Sequence, residues 1–262
     1  MMRARTTILL ALLALLAPAA WAESEDFRWA GRLKPGQTLE VKGVNGGIVA
    51  EPSSDDGATV LAEKRSRRDD PAEVEIQVVE HAGGVTICAV YPASRFSLRG
   101  NRCEPGEGGS LGADRNDVEV EFRVSVPEGV HFAGRTVNGG ITAEGLGGDV
   151  LANTVNGSVR ASGRGVVRGE TVNGSLFARL GRADWTGDLS YSTVNGSITV
   201  ELPESANAEV RASTVNGGID ADFPLTVKGK WGPKSARGTL GSGGRNLALE
   251  TVNGAIRLRK RS

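Results

Sequence analysis

Thr-Val-Asn-Gly, followed by a small residue and then an aliphatic one, occurs six times between residues 136 and 256. The asparagine-glycine pairs are Asn138-Gly139, Asn156-Gly157, Asn173-Gly174, Asn195-Gly196, Asn216-Gly217 and Asn253-Gly254. A shorter relative, Val44-Asn45-Gly46-Gly47-Ile48, stands alone near the N-terminus. Self-similarity of this kind points to a stacked repeat architecture, in which each unit buries its apolar side only against its neighbours.

Aligned on the valine, the six copies agree beyond the motif. Five residues earlier stand Phe132, Val150, Val167, Leu189, Val210 and Leu247, and four residues later Ile141, Val159, Leu176, Ile198, Ile219 and Ile256. Successive asparagines are 18, 17, 22, 21 and 37 residues apart. Such a period is too short for a pair of helices or a four-stranded blade, and it suits one rung of a β-solenoid. The 37-residue interval would hold two rungs, with Phe223–Gly243 supplying one whose signature has decayed.

The two apolar columns have opposite parity, so a bend must fall between them. Asparagine and glycine tolerate positive φ, which predicts that the bend lies within Val-Asn-Gly. Stacked asparagines would then form amide ladders; the alternative is an exposed row that binds sugar or metal. The valine is expected to turn inward at the bend. If it faces outward, the copies make an apolar stripe of the kind that marks an interface.

The expected fold is therefore all-β: a single-chain, parallel β-helix-like solenoid over residues 131–262, preceded by an antiparallel β part over residues 23–130. In that part Asp117–Val126 alternates most cleanly, with Val118, Val120, Phe122, Val124 and Val126 on one face. The two cysteines, Cys88 and Cys103, are an even pair, read as a disulfide. It would close a glycine-rich loop and contribute about 3 kcal/mol.

Residues 1–22 read as a signal peptide. Arg3 and Arg5 precede the apolar run Ile8–Leu16, and Ala20-Trp21-Ala22 fits a cleavage site after Ala22. The expected product is periplasmic or secreted, with no transmembrane segment after cleavage. The segment carries two of the 31 basic residues and none of the 31 acidic ones, so the remainder is close to neutral. That balance argues against a nucleic-acid partner, which requires a basic surface.

A search for chemistry finds little. His81 and His131 stand apart from any nucleophile signature, and no phosphate-cradling loop is present. No cysteine or histidine set has zinc-ligand spacing, so no cofactor or metal is expected. Asp220 with Asp222, and Asp184 with Asp188, are the carboxylate pairs that polysaccharide cleavage would need. The basic ending Arg257, Arg259, Lys260 and Arg261 reads first as a charged open edge that stops further strand pairing. Attraction to an anionic envelope surface is the other reading.

The repeats, together with Val118–Val126 followed by Pro127-Glu128-Gly129-Val130, and Phe223-Pro224-Leu225 and Gly238-Thr239-Leu240-Gly241, resemble a bacterial domain family labelled "putative adhesin". The resemblance covers roughly Leu39 to Arg259. It implies an exported β-solenoid and no catalytic residues. The function expected is non-enzymatic binding or scaffolding at the cell envelope, with a polysaccharide, lipid surface or protein as partner. The alternatives are a self-associating structural protein and a carbohydrate-active enzyme on a β-helix.

Overall fold

The computed structural model describes residues 27–93, 100–229 and 232–261; the expected signal peptide, residues 1–22, lies outside them. Apart from a 3-10 turn at Pro71–Glu73, the regular elements of these residues are all strands. The first seven are β1 (Phe27–Gly31), β2 (Thr38–Lys42), β3 (Ile48–Pro52), β4 (Ala58–Arg65), β5 (Glu75–His81), β6 (Gly84–Val90) and β7 (Glu119–Val126). The middle set is β8 (His131–Arg135), β9 (Ile141–Leu146), β10 (Val150–Asn153), β11 (Val159–Gly163), β12 (Val167–Glu170), β13 (Leu176–Arg179), β14 (Asp188–Asn195) and β15 (Ile198–Pro203). The last six are β16 (Ala208–Asn216), β17 (Ile219–Ala221), β18 (Thr226–Lys228), β19 (Lys234–Leu240), β20 (Asn246–Asn253) and β21 (Ile256–Arg261).

They form two large mixed sheets. One has ten strands in the order β1-β4-β7-β3-β9-β11-β13-β15-β21-β17; the other has eleven, β18-β19-β16-β20-β14-β12-β10-β8-β2-β6-β5. The chain passes from the second sheet to the first at every Asn-Gly corner, as between β10 and β11. Parallel register then sets like beside like: Val150 lies between Phe132 and Val167, and Val159 between Ile141 and Leu176. These side chains are buried in one hydrophobic cluster that spans both sheets. Val118, Val120, Phe122, Val124 and Val126 join it, as their alternation predicts.

At the corners the threonine holds the last inward position. Thr136, Thr154, Thr171, Thr193, Thr251 and Thr214 are buried. Each hydroxyl donates to the motif-glycine carbonyl of the next layer, at 2.8–3.0 Å. The buried hydroxyl and the turned-in carbonyl satisfy each other, which is what burial of polar groups demands.

Positive φ turns out not to be the reason for the motif glycines. Only Gly46, at φ +110°, has it; the other six do not. Their requirement is proximity. A Cβ added at Gly139, Gly157, Gly174, Gly196, Gly254 or Gly217 would lie 1.8–2.1 Å from the glycine carbonyl oxygen of the adjoining layer. Any side chain there would drive the layers apart.

Three expectations need correction. Among the described residues of the stretch 23–130 the pairing is mixed, not antiparallel. The early Val44-Asn45-Gly46 copy makes a full corner, so β2 and β3 pair in parallel with β8 and β9 on one side and with β6 and β7 on the other. Between the strands of this stretch antiparallel pairing joins β1 with β4, β4 with β7 and β5 with β6, and Arg102 and Ser110 form an isolated antiparallel bridge.

Phe223–Gly243 is not a decayed rung. It contains β18 and β19, an antiparallel pair that extends the second sheet beyond β16. Nor does the chain finish on an open edge. The last copy returns, placing β20 between β14 and β16 and β21 between β15 and β17. Equivalent corners fit against any neighbour, so chain order does not dictate stacking order.

Gly174→Ala should lower the unfolding free energy by about 3 kcal/mol, because the methyl group meets rigid backbone. Asn173→Ala, which removes two side-chain amide bonds described below, should lower it by about 2 kcal/mol. Urea unfolding of both variants measures these losses; values near zero would deny the corner its structural weight.

Candidate functional site

The feature with most to offer a partner is the outer side of the corner. Alternation runs through threonine (inward) and valine (outward), and the bend comes afterwards at Asn-Gly. The inward valine expected from sequence is therefore overturned, since threonine occupies that slot. In spatial order Val155, Val172, Val194, Val252 and Val215 are 38, 39, 40, 38 and 42% exposed. At the usual interstrand spacing these five side chains form an apolar stripe about 20 Å long.

Beside the stripe runs an amide ladder. Nδ2 of Asn216 donates to Oδ1 of Asn253, and so on through Asn195, Asn173, Asn156, Asn138 and Asn45, at 2.7–2.9 Å. All six bonds point the same way, so each amide polarises the next. The ladder ends at Asn45, whose Nδ2 lies 3.2 Å from the Asn116 carbonyl and 3.4 Å from that of Val118. The Tyr91 hydroxyl donates to the Val118 carbonyl at 2.8 Å, and burial pushes this phenol up to about 12.

At the same end the stripe is covered. Val44 is 4% exposed and Val137 is half-buried. The covering segment joins β6 to β7 and is tied to β6 by the Cys88–Cys103 disulfide. Its residues Gly106–Leu111 adjoin Thr136 and Val137. Asn101 closes its neck, donating to the Tyr91 and Gly112 carbonyls and accepting from Gly112 N–H.

Beneath it lies a buried ionic cluster. The Lys42 ammonium donates to the carbonyls of Glu104, Gly106 and Gly108 at 2.6, 2.6 and 3.1 Å. Glu40 accepts from Thr86 Oγ1, Gly106 N–H and Arg135 Nε. Burial pulls the Lys42 ammonium below the ordinary lysine range, with Glu40 opposing the shift. Sequence reading found the disulfide but not this cluster; the only signal was two charges, Glu40 and Lys42, just before an early copy of the corner.

The other candidate residues are engaged in local structure. Arg259 pairs with both Asp220 and Asp222, the latter at 2.9 Å. Asp184 lies 3.5 Å from Arg182, and Asp188 accepts from Asn246 at 2.7 Å. His81 contacts the Thr86 hydroxyl, and His131 Nδ1 accepts from Asp149 N–H. Lys260 pairs with Glu204, so Arg259 and Lys260 of the basic ending are both matched to carboxylates. Among the described residues no group of three or more potential metal-ligating side chains comes together. None of their helices is long and apolar enough to cross a membrane.

No protein-family model matches the chain, and no curated protein matches it. Solved structures with an overall likeness include a "putative cell adhesion protein" from Clostridium sporogenes ATCC 15579, 14% identical over 90% of this chain and 100% of that one, with a TM-score of 0.44. A "putative adhesin" from Bacteroides fragilis NCTC 9343 is 15% identical over 89% and 97%, with a TM-score of 0.29. Another from Parabacteroides distasonis ATCC 8503 is 10% identical over 89% and 97%, at 0.25. Likeness this loose assigns no role to any residue described above.

The carboxylate of Asp222 is held below the usual range, chiefly by Lys260 N–H and then by Arg259. A depressed folded-state pKa adds stability above the ordinary carboxylate pKa and loses it as pH falls through the folded value. Asp222→Asn should therefore flatten the acid limb of the stability curve below about pH 4, as read from urea midpoints. An unchanged limb would show that the pair contributes nothing.

Proposed function

We propose that this chain is an exported, non-enzymatic β-solenoid that binds or scaffolds a protein component of the cell envelope, in the manner of an adhesin. The observation that carries the reading is the exposed row Val155, Val172, Val194, Val252 and Val215 along a corner braced by the asparagine ladder. Five outward valines in register are costly to leave in water, and contiguous apolar patches of this kind mark interaction sites. The asparagine ladder adds support, because a surface preformed by such bonds loses little entropy on docking.

A protein is preferred over a glycan because the chain already covers this stripe with polypeptide. Leu111 and Val137 both pack on the core where the disulfide-tied segment crosses the first two layers. Export is supported by the Cys88–Cys103 bond, which needs an oxidising compartment to persist. The matched carboxylates and histidines support the non-enzymatic part, since each has a structural partner in place of a free reaction path.

Self-association is the second reading, and the same stripe favours it: two copies would bury both rows against each other. The test is co-sedimentation of purified residues 23–262 with envelope fractions, intact or protease-treated, beside Val172→Lys/Val194→Lys. Both valines point to solvent, so the fold should survive. Binding that falls at least about tenfold in the variant, and vanishes after protease treatment, is expected; a loss near 1.4 kcal/mol corresponds to that factor. Equal binding by the variant would move the site elsewhere. Mass that rises with concentration, and only in the unsubstituted chain, would identify the partner as a second copy.

A further inference from the structure

The outer face of the eleven-stranded sheet carries a second surface, remote from the disulfide-tied segment. A groove of about 620 Å³ lies over β16, β18 and β19, with Arg211, Arg237 and Lys228 among its walls. Arg211 and Arg237 are direct partners across the antiparallel pair β16–β19, and both are exposed. Directly opposed like charges weaken a sheet, their Cβ atoms lying about 5 Å apart.

Several outward arginines of this protein are matched with carboxylates. Arg160 meets Glu144 at 2.8 Å, Arg179 meets Glu201, and Arg259 meets Asp220 and Asp222. In the groove three cations stand together without such a match. No carboxylate among the described residues lies within ion-pairing distance of Arg211, Arg237 or Lys228. Glu209, also in the groove wall, is turned to the Thr239 hydroxyl, which lies 3.0 Å from both its oxygens.

We propose that this groove binds an acidic glycan, with carboxylates borne on successive sugars seated on Arg211, Arg237 and Lys228. Two guanidinium groups side by side offer the planar, forked donors that oxyanions accept best. Lys228 stands on β18, two strands from Arg211, so the cations span about 10 Å and suit a chain with repeated charge better than a single small anion. Hydroxyl groups of Thr226 and Ser235 line the same concavity and can bond sugar hydroxyls. A lipid surface is disfavoured because Glu170, Glu250 and Asp188 are exposed on the same sheet. A flat bilayer would press these acids against its phosphates.

The site is independent of the valine stripe, so either can fail without the other. The probe is polygalacturonate, with purified residues 23–262 titrated at low and at high salt. Arg211→Gln/Arg237→Gln is the test variant, and Arg257→Gln, which removes an exposed arginine of the other sheet, is the control. Thermal melting checks folding; removing the opposed charges should leave the midpoint unchanged or raise it.

Expected are salt-sensitive binding by the unsubstituted chain and by the control, and a loss of about tenfold or more in the double variant. Equal binding by the double variant, an equal loss in the control, or no binding to polygalacturonate at low salt would each overturn the proposal. Equal affinity for neutral dextran, or capture by phosphatidylglycerol vesicles without capture by polygalacturonate, would overturn it too.

Discussion

Everything in this fold depends on how closely successive glycine corners approach. At the motif glycines the neighbouring carbonyl occupies the space where a side chain would begin, 1.8–2.1 Å from the ideal Cβ position. That contact sets the layer spacing at the corner, and the other polar groups of the motif are arranged around it. The threonine hydroxyl is buried because a glycine carbonyl faces it. The asparagine side chains reach one another because the backbones beneath them are already in register. A larger residue would not only clash; it would break the threonine bond and the amide ladder together, which is why the three residue types occur as a unit.

The same corner explains why the exterior is so uneven. On the ten-stranded sheet the outward positions include ion pairs and Phe177, over which the Arg160 guanidinium lies at 4.6 Å. Next to the bend an outward residue has only its equivalents above and below, so valine lies beside valine. A β-branched side chain suits the strand backbone there, at the cost of leaving an apolar row in water. The N-terminal end shows how that cost is relieved: a segment held by a disulfide and by Lys42 lies across the first two layers. Surface character thus follows from backbone geometry layer by layer, and the two proposed contact surfaces are places where the usual compensation is missing.

Much of the architecture can be read from residue spacing. The apolar columns five before and four after the valine are buried as their parity demands, apart from the half-buried Ile219, and Cys88 and Cys103 are bonded. The direction of the valine was not legible, because it hinges on whether the bend comes before or after one residue. Stacking order was not legible either. Six nearly identical corners carry no address, so nothing in Thr251–Ile256 says that it belongs beside Thr193. Lys42 and Glu40 looked like ordinary strand charges, since the carbonyls and N–H groups that hold them arrive from residues more than 60 positions away. Arg211 and Arg237 could be seen as a pair only once β19 was known to turn back on β16.

The position of β20 and β21 has a consequence for how the chain is made. β14 and β15 come before β16 and β17 in the chain, and both pairs carry the same corner. The permanent neighbour of β14 begins 58 residues after it, with Asn246 opposite Asp188. Early pairing of β16 directly onto β14 would use the same bonds and the same register, and would have to be undone later. Chain order and layer order therefore part at this end: the layer made last is an inner one, flanked on both sides by layers that precede it in the chain.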